Sequence, residues 1–166
     1  PQYNFGTFAY TMNGSSGNPA VISNCKSSVY IDPSSSYSYD MAGIVYVANS
    51  YGDVYNCLNS GTIYNGKYGS CSGITSRVGG GSRVYQCKNS GGIRATDGSY
   101  GNHAAGIAYS VNASGQIFDC YNTGTVRGGD GSTGSSAVGS NGGNAAGIAV
   151  INAGTVTRYL FIKLYI

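Results

Sequence analysis

The sequence has few of the residues from which helices are usually built. It contains no glutamate and only three leucines, while glycine, serine and asparagine together occupy 66 of its 166 positions. Serine and asparagine compete for the local backbone hydrogen bonds and glycine costs backbone entropy in a helix, so all three favour turns and caps. Tryptophan is absent and proline occurs three times. This composition excludes a helical bundle.

Long apolar runs and clustered charges are also missing. No stretch reaches the roughly 18 consecutive apolar residues that a membrane-spanning helix needs. The net charge is only +3 and the nine basic residues are scattered, so nothing indicates nucleic-acid binding. Hydrophobic residues still make up 41% of the chain and aromatic residues 12%, which argues against disorder. We expect a single folded domain over residues 1–166.

Four segments of the chain align on a cysteine. Each cysteine stands three residues after one β-branched residue and six residues before another. In all copies but the first, an asparagine follows two positions after the cysteine and a glycine four positions after it. The cysteines are Cys25, Cys57, Cys87 and Cys120, preceded by Ile22, Val54, Val84 and Ile117 and followed by Ile31, Ile63, Ile93 and Val126.

A second motif, small residue-Gly-Ile, precedes the last three of these cysteines, with its isoleucine thirteen residues upstream. The close copies are Ala42-Gly43-Ile44, Ser72-Gly73-Ile74 and Ala105-Gly106-Ile107. Phe8 marks a looser first copy, and Ala146-Gly147-Ile148 opens a fifth copy in which Phe161 takes the place of the cysteine. Self-similarity at a period of about 30 residues is typical of architectures whose units bury their apolar faces against one another.

Each unit is predicted to hold three short strands, at 43–48, 53–55 and 57–64 in the second copy. Residues three apart on a straight strand face opposite sides, so Val54 and Cys57 can both face the core only if the chain bends at Asn56, and likewise at Gln86 and Asp119 in later copies. The sequence therefore predicts an all-β fold, a right-handed parallel β-helix of about five coils. An antiparallel barrel or sandwich is the alternative.

The predicted coils cover residues 5–41, 42–71, 72–104, 105–145 and 146–166, the last one incomplete or capping. Variation in length gathers between the third strand of a coil and the next Gly-Ile motif, and insertions on one edge of a solenoid often form a binding face. Three residues of these loops are candidates for contacting a partner: Tyr68, Tyr100 and His103. Plain solvated loops are the alternative.

The repeat resembles the GLUG repeat. Its best copy combines Ala105-Gly106-Ile107 with residues 116–126, Gln-Ile-Phe-Asp-Cys-Tyr-Asn-Thr-Gly-Thr-Val. GLUG repeats occur in large bacterial surface and secreted proteins, including adhesin-like molecules and the non-catalytic part of immunoglobulin A metallopeptidases. The resemblance implies an extracellular bacterial β-solenoid, secreted or on the cell surface, and it carries over no catalytic residue.

Stacked coils should align equivalent side chains into columns. We predict a column of buried thiols, because buried cysteine behaves as a small hydrophobe, and a column of hydrogen-bonded amides. The thiol column is Cys25, Cys57, Cys87 and Cys120, and the amide column is Asn59, Asn89 and Asn122. Disulfides between coils and ligand binding by the asparagines are the alternatives. Cys71 falls outside the pattern and is expected in a turn as a free thiol.

An aromatic strip is predicted two residues before three of the cysteines, at Tyr55, Tyr85 and Phe118. It would lie on the outer face of the second strand, where it offers a surface for sugar rings or another protein. Stacking of the three rings on one another explains the same pattern without any ligand.

The sequence shows no constellation for catalysis. Cleavage of polysaccharides needs paired carboxylates on one sheet face. Asp53 and Asp119 lie at different distances from the cysteines of their repeats, and Asp40 is expected in a variable loop. The aligned position of Asp53 and Arg83 suggests a surface ion pair instead. No Cys-x-x-Cys pair or converging ligand set points to a metal. We therefore expect a protein that is not an enzyme and that binds no cofactor.

The two ends of the predicted solenoid are apolar and have no evident cap. We expect them to mediate assembly end to end, or to continue into a longer parent chain, since the sequence begins at Pro1 without a methionine. The residues of this candidate interface are Phe5, Phe8, Tyr10, Leu160, Phe161, Ile162, Leu164 and Ile166. The expected function is structural or adhesive, as a surface stalk or fibre subunit with a glycan or surface protein as partner. A carbohydrate-binding module or a non-catalytic fragment of a larger secreted enzyme is the alternative.

Overall fold

Parallel pairing of short strands defines the fold. The computed structural model describes residues 3–33, 38–65, 69–96, 102–129 and 143–161. Within these ranges the protein is all-β, without a helix, and the strands pair in parallel. They wind into a β-solenoid of about three turns. An antiparallel barrel or sandwich is excluded.

Three central turns, at 38–65, 69–96 and 102–129, contribute strands to all four sheets. The flanking N-terminal end segment (3–33) and C-terminal end segment (143–161) contribute no strand to the fourth sheet. The first holds β1 (Tyr3–Gly6), β2 (Ala9–Asn13), β3 (Ala20–Ser23) and β4 (Lys26–Ser27). The central turns hold β5 (Ser38–Ala42), β6 (Val45–Ser50), β7 (Gly52–Tyr55), β8 (Leu58–Asn59), β9 (Ile63–Tyr64), β10 (Ser70–Ser72), β11 (Thr75–Val78), β12 (Arg83–Tyr85), β13 (Lys88–Asn89), β14 (Ile93–Arg94), β15 (His103–Ala105), β16 (Ala108–Val111), β17 (Gln116–Asn122) and β18 (Val126–Arg127). The last holds β19 (Ala145–Ala146), β20 (Ala149–Asn152) and β21 (Thr155–Phe161).

Four sheets run along the solenoid axis. The first has the order β1-β5-β10-β15-β19 and the second the order β2-β6-β11-β16-β20. The third contains β3-β7-β12-β17-β13-β8-β4, with β21 paired to β17, and the fourth contains β18-β14-β9. Because each strand pairs with its counterpart in the neighbouring turn, equivalent residues stand directly above one another.

Left-handed residues make the bend in the third sheet that the sequence predicts. Asn56, Gln86 and Asp119 have φ of 51°, 53° and 53°. Positive φ is uncommon outside glycine and least costly for residues such as Asn and Asp. The bend allows Val54 and Cys57, three residues apart, both to be buried. This prediction is confirmed.

The predicted first strand is wrong in one respect. The chain bends at Gly43 and Ile44, so a separate strand, Ser38–Ala42, lies before the motif and Val45–Ser50 after it. As a result Ile44 and Val45 both join the larger apolar cluster, while Tyr46, also buried, lies outside the two clusters with its ring tilted by 40° against that of Tyr10. The predicted alternation of Ile44, Tyr46 and Ala48 on one face does not account for this bend.

Two apolar clusters form the core. The larger contains the isoleucines of the Gly-Ile motifs and the cysteine column, and the smaller contains Ile63, Ile93 and Val126. Asn59 lies in the chain between Cys57 of the larger cluster and Ile63 of the smaller one, and it is fully buried. The asparagine column therefore separates the two apolar clusters.

The glycine of the Gly-Ile motif is needed because the asparagine column packs against it. A Cβ atom at Gly73 would lie 2.2 Å from the carbonyl oxygen of Gly106 and 2.5 Å from Cγ of Asn89. Gly43 meets Asn59, and Gly106 meets Asn122, in the same way. The glycine of the Gly-Ile motif and the asparagine of the cysteine motif thus pack against each other in the structure.

The C-terminal end segment is in a different register from the one the sequence suggested. Tyr159, not Phe161, is the residue aligned with Cys120, and Val156 is aligned with Ile117. The isoleucine of the last motif, Ile148, is eight residues before Val156, whereas Ile107 is ten residues before Ile117. The shorter connection explains why counting thirteen residues from Ile148 led to the wrong position.

Candidate functional site

The amide column is continuous through the central turns. Nδ2 of Asn59 donates to Oδ1 of Asn89 at 2.8 Å, and Nδ2 of Asn89 donates to Oδ1 of Asn122 at 2.7 Å. Each Nδ2 also donates to the carbonyl of the glycine two residues further on, at 3.0–3.1 Å. Since these asparagines are fully buried and bonded to one another, they have no capacity left for a ligand.

The cysteines are free and buried, except for the half-buried Cys25. The thiols of Cys57, Cys87 and Cys120 donate to the carbonyl oxygens of Ile22, Val54 and Val84 in the preceding turn, at 3.8, 3.5 and 3.6 Å. Contact with the Cys120 thiol, together with burial, raises the pKa of Cys87 to about 12. A neutral thiol is a poor nucleophile and a poor metal ligand, so the column is structural.

Cys71 does not lie in a turn, as the sequence suggested. It is the middle residue of β10, fully buried, and packs in the smaller apolar cluster beside Met41 and Ala104. Burial raises the pKa of its thiol well above the ordinary value. Cys71 is therefore a core residue in the middle of a strand that the sequence analysis did not predict.

The three rings of the aromatic strip stack face to face. The ring centroids of Tyr55 and Tyr85 are 4.9 Å apart at an angle of 13°, and those of Tyr85 and Phe118 are 4.9 Å apart at 6°. Each inner face is covered by the next ring in the column. Because sugar rings pack on aromatic faces, this geometry favours the structural stacking that the sequence left open.

Two ion pairs border the aromatic strip. Arg83 donates to both carboxylate oxygens of Asp53, with its Nε 2.9 Å from Oδ1. Arg158 donates to both oxygens of Asp119, at 2.6 and 2.8 Å, and lowers the pKa of that carboxyl group. The first pair was predicted as a surface ion pair, but its Asp53 side is buried and only Arg83 is exposed. The second was missed, because the C-terminal register was assigned wrongly.

A polar column on the first sheet was also missed. Asp40, Ser70 and His103 occupy the same position in three consecutive strands, and Asn144 follows in the next turn. The sequence analysis placed Asp40 and His103 in variable loops. A signal was present, since each of these residues lies four positions before the isoleucine of its Gly-Ile motif.

The polar column contains a serine, a histidine and an aspartate, but not a catalytic triad. Asp40 Oδ1 accepts a hydrogen bond from the backbone N–H of Ser70 at 2.9 Å, and Oδ2 accepts one from Arg77 at 2.8 Å. Nδ1 of His103 accepts from the backbone N–H of Asn144 at 2.9 Å. In a triad that nitrogen would donate to the carboxylate. The column therefore lacks the histidine–aspartate hydrogen bond that orients the histidine to take a proton from a serine.

The second sheet places aromatic and basic groups beside this column. Tyr109 stacks on His103 at 5.7 Å, and the Arg77 guanidinium lies 5.9 Å from the ring centre of Tyr46. Burial lowers the pKa of His103, and Asp40 opposes that shift. At neutral pH the histidine is thus uncharged, and among the described residues around this column the charges of Asp40 and Arg77 cancel.

The remaining candidate residues are divided between the surface and the undescribed part of the chain. Phe5, Phe8, Tyr10 and Leu160 are exposed, by 41–59%. Phe161 ends β21. Tyr68, Tyr100, Ile162, Leu164 and Ile166 lie outside the described residues.

Comparison with family models, curated proteins and solved structures gave no match for this chain. Among the described residues, no three His, Cys, Asp or Glu side chains group closely enough to hold a metal ion. The same part of the chain has no helix that is long and apolar enough to cross a membrane. The candidate function therefore has to be argued from the solenoid's own surfaces.

Proposed function

We propose that the protein is a non-enzymatic, extracellular β-solenoid with a structural or adhesive role, as a stalk or fibre subunit of a bacterial surface. The observation that carries this proposal is the open apolar interior at the C-terminal end segment. A solenoid turn buries its core only against the next turn, so an open end calls for a further turn to cover it.

The open interior lies around Val156 and Tyr159, beside the buried Ile148. Together with neighbouring residues they line a cavity of about 280 Å³. Tyr159 is 52% exposed, although it is aligned with the fully buried Cys120 of the preceding turn. The strand β21 pairs with β17 on one side, and its other edge has no partner strand among the described residues. Both the apolar interior and the unpaired backbone would be covered by one more parallel turn.

The occupant that we propose is the N-terminal end of a second copy of this chain. Ile22 in that segment packs on the core but stays partly exposed, and it is aligned with the same column as Val156. Docking the two ends would extend the parallel sheets and place Ile22 over Val156. Contact between unlike ends does not close on itself, so it produces a filament.

Two finer features of the architecture belong to this proposal. The winding is right-handed, as parallel strand connections almost always are. The end segments count as partial coils, which brings the total to five, because the first and second sheets each contain five strands. A filament of such coils would be a continuous right-handed β-helix.

The absence of enzymatic activity is supported by the state of the carboxylates. Asp40, Asp53 and Asp119 are each bound to an arginine, so none is placed as a general acid or base. An extracellular location rests on the resemblance to GLUG repeats. Free cysteines are compatible with it, because the buried thiols are protected from oxidants.

Sedimentation velocity and electron microscopy over a range of protein concentrations test the end-to-end contact. We expect particles that lengthen with concentration, and expect Val156→Lys to abolish the growth because it places a charge in the apolar end. Val47→Lys, on the outer column of the second sheet, is the matched control and should still assemble. A wild-type protein that stays monomeric at high concentration would overturn the proposal. Rods that also form from Val156→Lys would overturn it equally, and thermal unfolding verifies that both variants fold.

A further inference from the structure

A polar cleft lies beside the third sheet, and it exists because of an insertion in the N-terminal end segment. The connection between β2 and β3 covers residues 14–19, whereas β6 and β7 are separated only by Tyr51. The longer connection forms a tight hairpin in which Ser15 and Asn18 exchange two backbone hydrogen bonds, at 3.0 and 3.1 Å. Ser15, Ser16 and Pro19 of this connection form one wall of the cleft.

The floor of the cleft is one column of the third sheet. Asp53, Arg83 and Gln116 occupy the same position in consecutive turns. Asp53 is 5% exposed and is bound by Arg83, whose side chain remains 46% exposed. The floor thus presents a carboxylate, a guanidinium and an amide one turn apart, with no net charge.

An aromatic side chain also lines the cleft. Tyr51 lines the cleft, is 41% exposed, and has a φ of 44°. Its ring lies against Gly81, where an added Cβ would come within 2.9 Å of Cε1. Gly81 has a φ of +75°, a conformation that glycine adopts without cost. The backbone at these two positions therefore holds the ring at the side of the cleft.

We propose that this cleft binds an uncharged sugar residue of a glycan. The cavity measures about 300 Å³, at the lower end of the usual range for small-molecule sites. A sugar hydroxyl both donates and accepts, so neighbouring carboxylate, guanidinium and amide groups can hold two adjacent hydroxyls. The C–H face of the sugar can pack on the Tyr51 ring.

Other ligand classes fit the cleft less well. An anion would need the positive charge of Arg83, which Asp53 already neutralises. An apolar side chain of a peptide would displace water from the exposed part of the Arg83 guanidinium and from Gln116, at a cost in desolvation. The inference goes beyond the structural role proposed above, and it is tested separately from end-to-end assembly.

Saturation-transfer NMR tests the site, with methyl glycosides of glucose, galactose, mannose and N-acetylglucosamine as probes and glucuronic acid as the charged comparison. We expect at least one neutral probe to bind and Tyr51→Asn to weaken it by about tenfold or more, since asparagine tolerates the positive φ but has no ring. Tyr121→Asn is the matched control, because Tyr121 is similarly exposed (45%) and does not line the cleft.

Three results would overturn the inference: no neutral probe binds, glucuronic acid alone binds, or Tyr51→Asn binds as tightly as the wild type. If Tyr51→Asn does not unfold cooperatively, Gln116→Ala decides instead, with an expected loss of about threefold or more. Measurements on Val156→Lys separate this result from the assembly proposal. That variant should bind the sugar as the wild type does, whether or not filaments form.

Discussion

Equivalent residues are buried to different extents in the central turns and in the end segments. Val54, Val84 and Ile117 belong to one column and are all fully buried, whereas Ile22 and Val156, at the two ends of that column, remain partly exposed. The difference shows that the position of a residue within its repeat does not by itself determine how deeply the residue is buried. Its burial comes from the turn above and the turn below.

The polar interior follows the same rule. Asn59, Asn89 and Asn122 satisfy one another within the central turns, but in the N-terminal end segment the column ends at Ser27. The Oγ atom of Ser27 is buried and has no hydrogen-bond partner. We infer that stability is concentrated in the central turns and declines toward both ends.

The largest effect is expected where the backbone of two turns meets. Gly73→Ala places a Cβ 2.2 Å from the carbonyl of Gly106, so the turns would have to separate. We expect a loss of about 4 kcal/mol or more in the free energy of unfolding, or no cooperative folding. Gly17→Ala, with no atom within 4 Å of the added Cβ, should stay within about 0.5 kcal/mol of the wild type in urea unfolding. Equal losses of unfolding free energy at Gly73 and Gly17 would contradict the inference that stability is concentrated in the central turns.

The next largest effect concerns the amide column. Asn89→Ala leaves Nδ2 of Asn59 without its acceptor and Oδ1 of Asn122 without its donor, both in the core. At about 1–3 kcal/mol for each unsatisfied group, we expect a loss of about 3 kcal/mol in urea unfolding. Asn13→Ala removes the exposed hydrogen bond that Nδ2 of Asn49 donates to Oδ1 of Asn13 in the N-terminal end segment. This variant should lose less than about 1 kcal/mol in the free energy of unfolding. A small loss at Asn89 would mean that the column does not stabilise the interior.

Substitution of two isoleucines of the same column tests whether stability declines toward the N-terminal end segment. Ile117→Ala empties a fully buried position and should cost about 3 kcal/mol, within the usual range for such truncations. Ile22→Ala, in the same column but partly exposed, should cost about 1 kcal/mol, because less apolar surface is returned to water. Chemical denaturation of the two variants gives the difference directly. Identical losses would show that the N-terminal end segment is as well packed as the centre.

The smallest effect is a pH dependence at the contact between the last central turn and the C-terminal end segment. Burial holds the pKa of His103 below the ordinary value of 6.5, and Nδ1 accepts a hydrogen bond only when it is unprotonated. As the pH falls below 6.5 the unfolded state therefore binds more protons than the folded state, and the free energy of unfolding decreases. Between pH 7 and pH 5 we expect a loss on the order of 1 kcal/mol, the net value of one hydrogen bond.

The variant His103→Gln isolates that contribution. Subtracting its stability profile from that of the wild type removes the titration of the carboxylates, which both proteins share. The difference should be flat above pH 7 and decline toward pH 5. A flat difference across the whole range, measured by thermal unfolding in buffers of matched ionic strength, would show that the Asn144 contact does not depend on the protonation of His103.

The repeat pattern was enough to predict the parallel solenoid, the bends at Asn56, Gln86 and Asp119, and the pair of Asp53 with Arg83. It failed where the chain changes direction between sheets. The strand at 38–42 and its counterparts were assigned to loops, because their composition is irregular and only the offset of four residues to the isoleucine is constant. For the same reason the column of Asp40, Ser70 and His103 was missed.

The sequence by itself determined which residues stack, because identical offsets in successive repeats leave parallel rungs as the arrangement that buries every copy alike. Only the tertiary structure decided what the stacked residues present to the surroundings. In the strip of Tyr55, Tyr85 and Phe118 the ring faces that meet between turns cover one another, while the cleft beside Tyr51 depends on a hairpin from another turn. Such surfaces arise between segments far apart in the chain, where spacing within a repeat carries no information about distance or orientation.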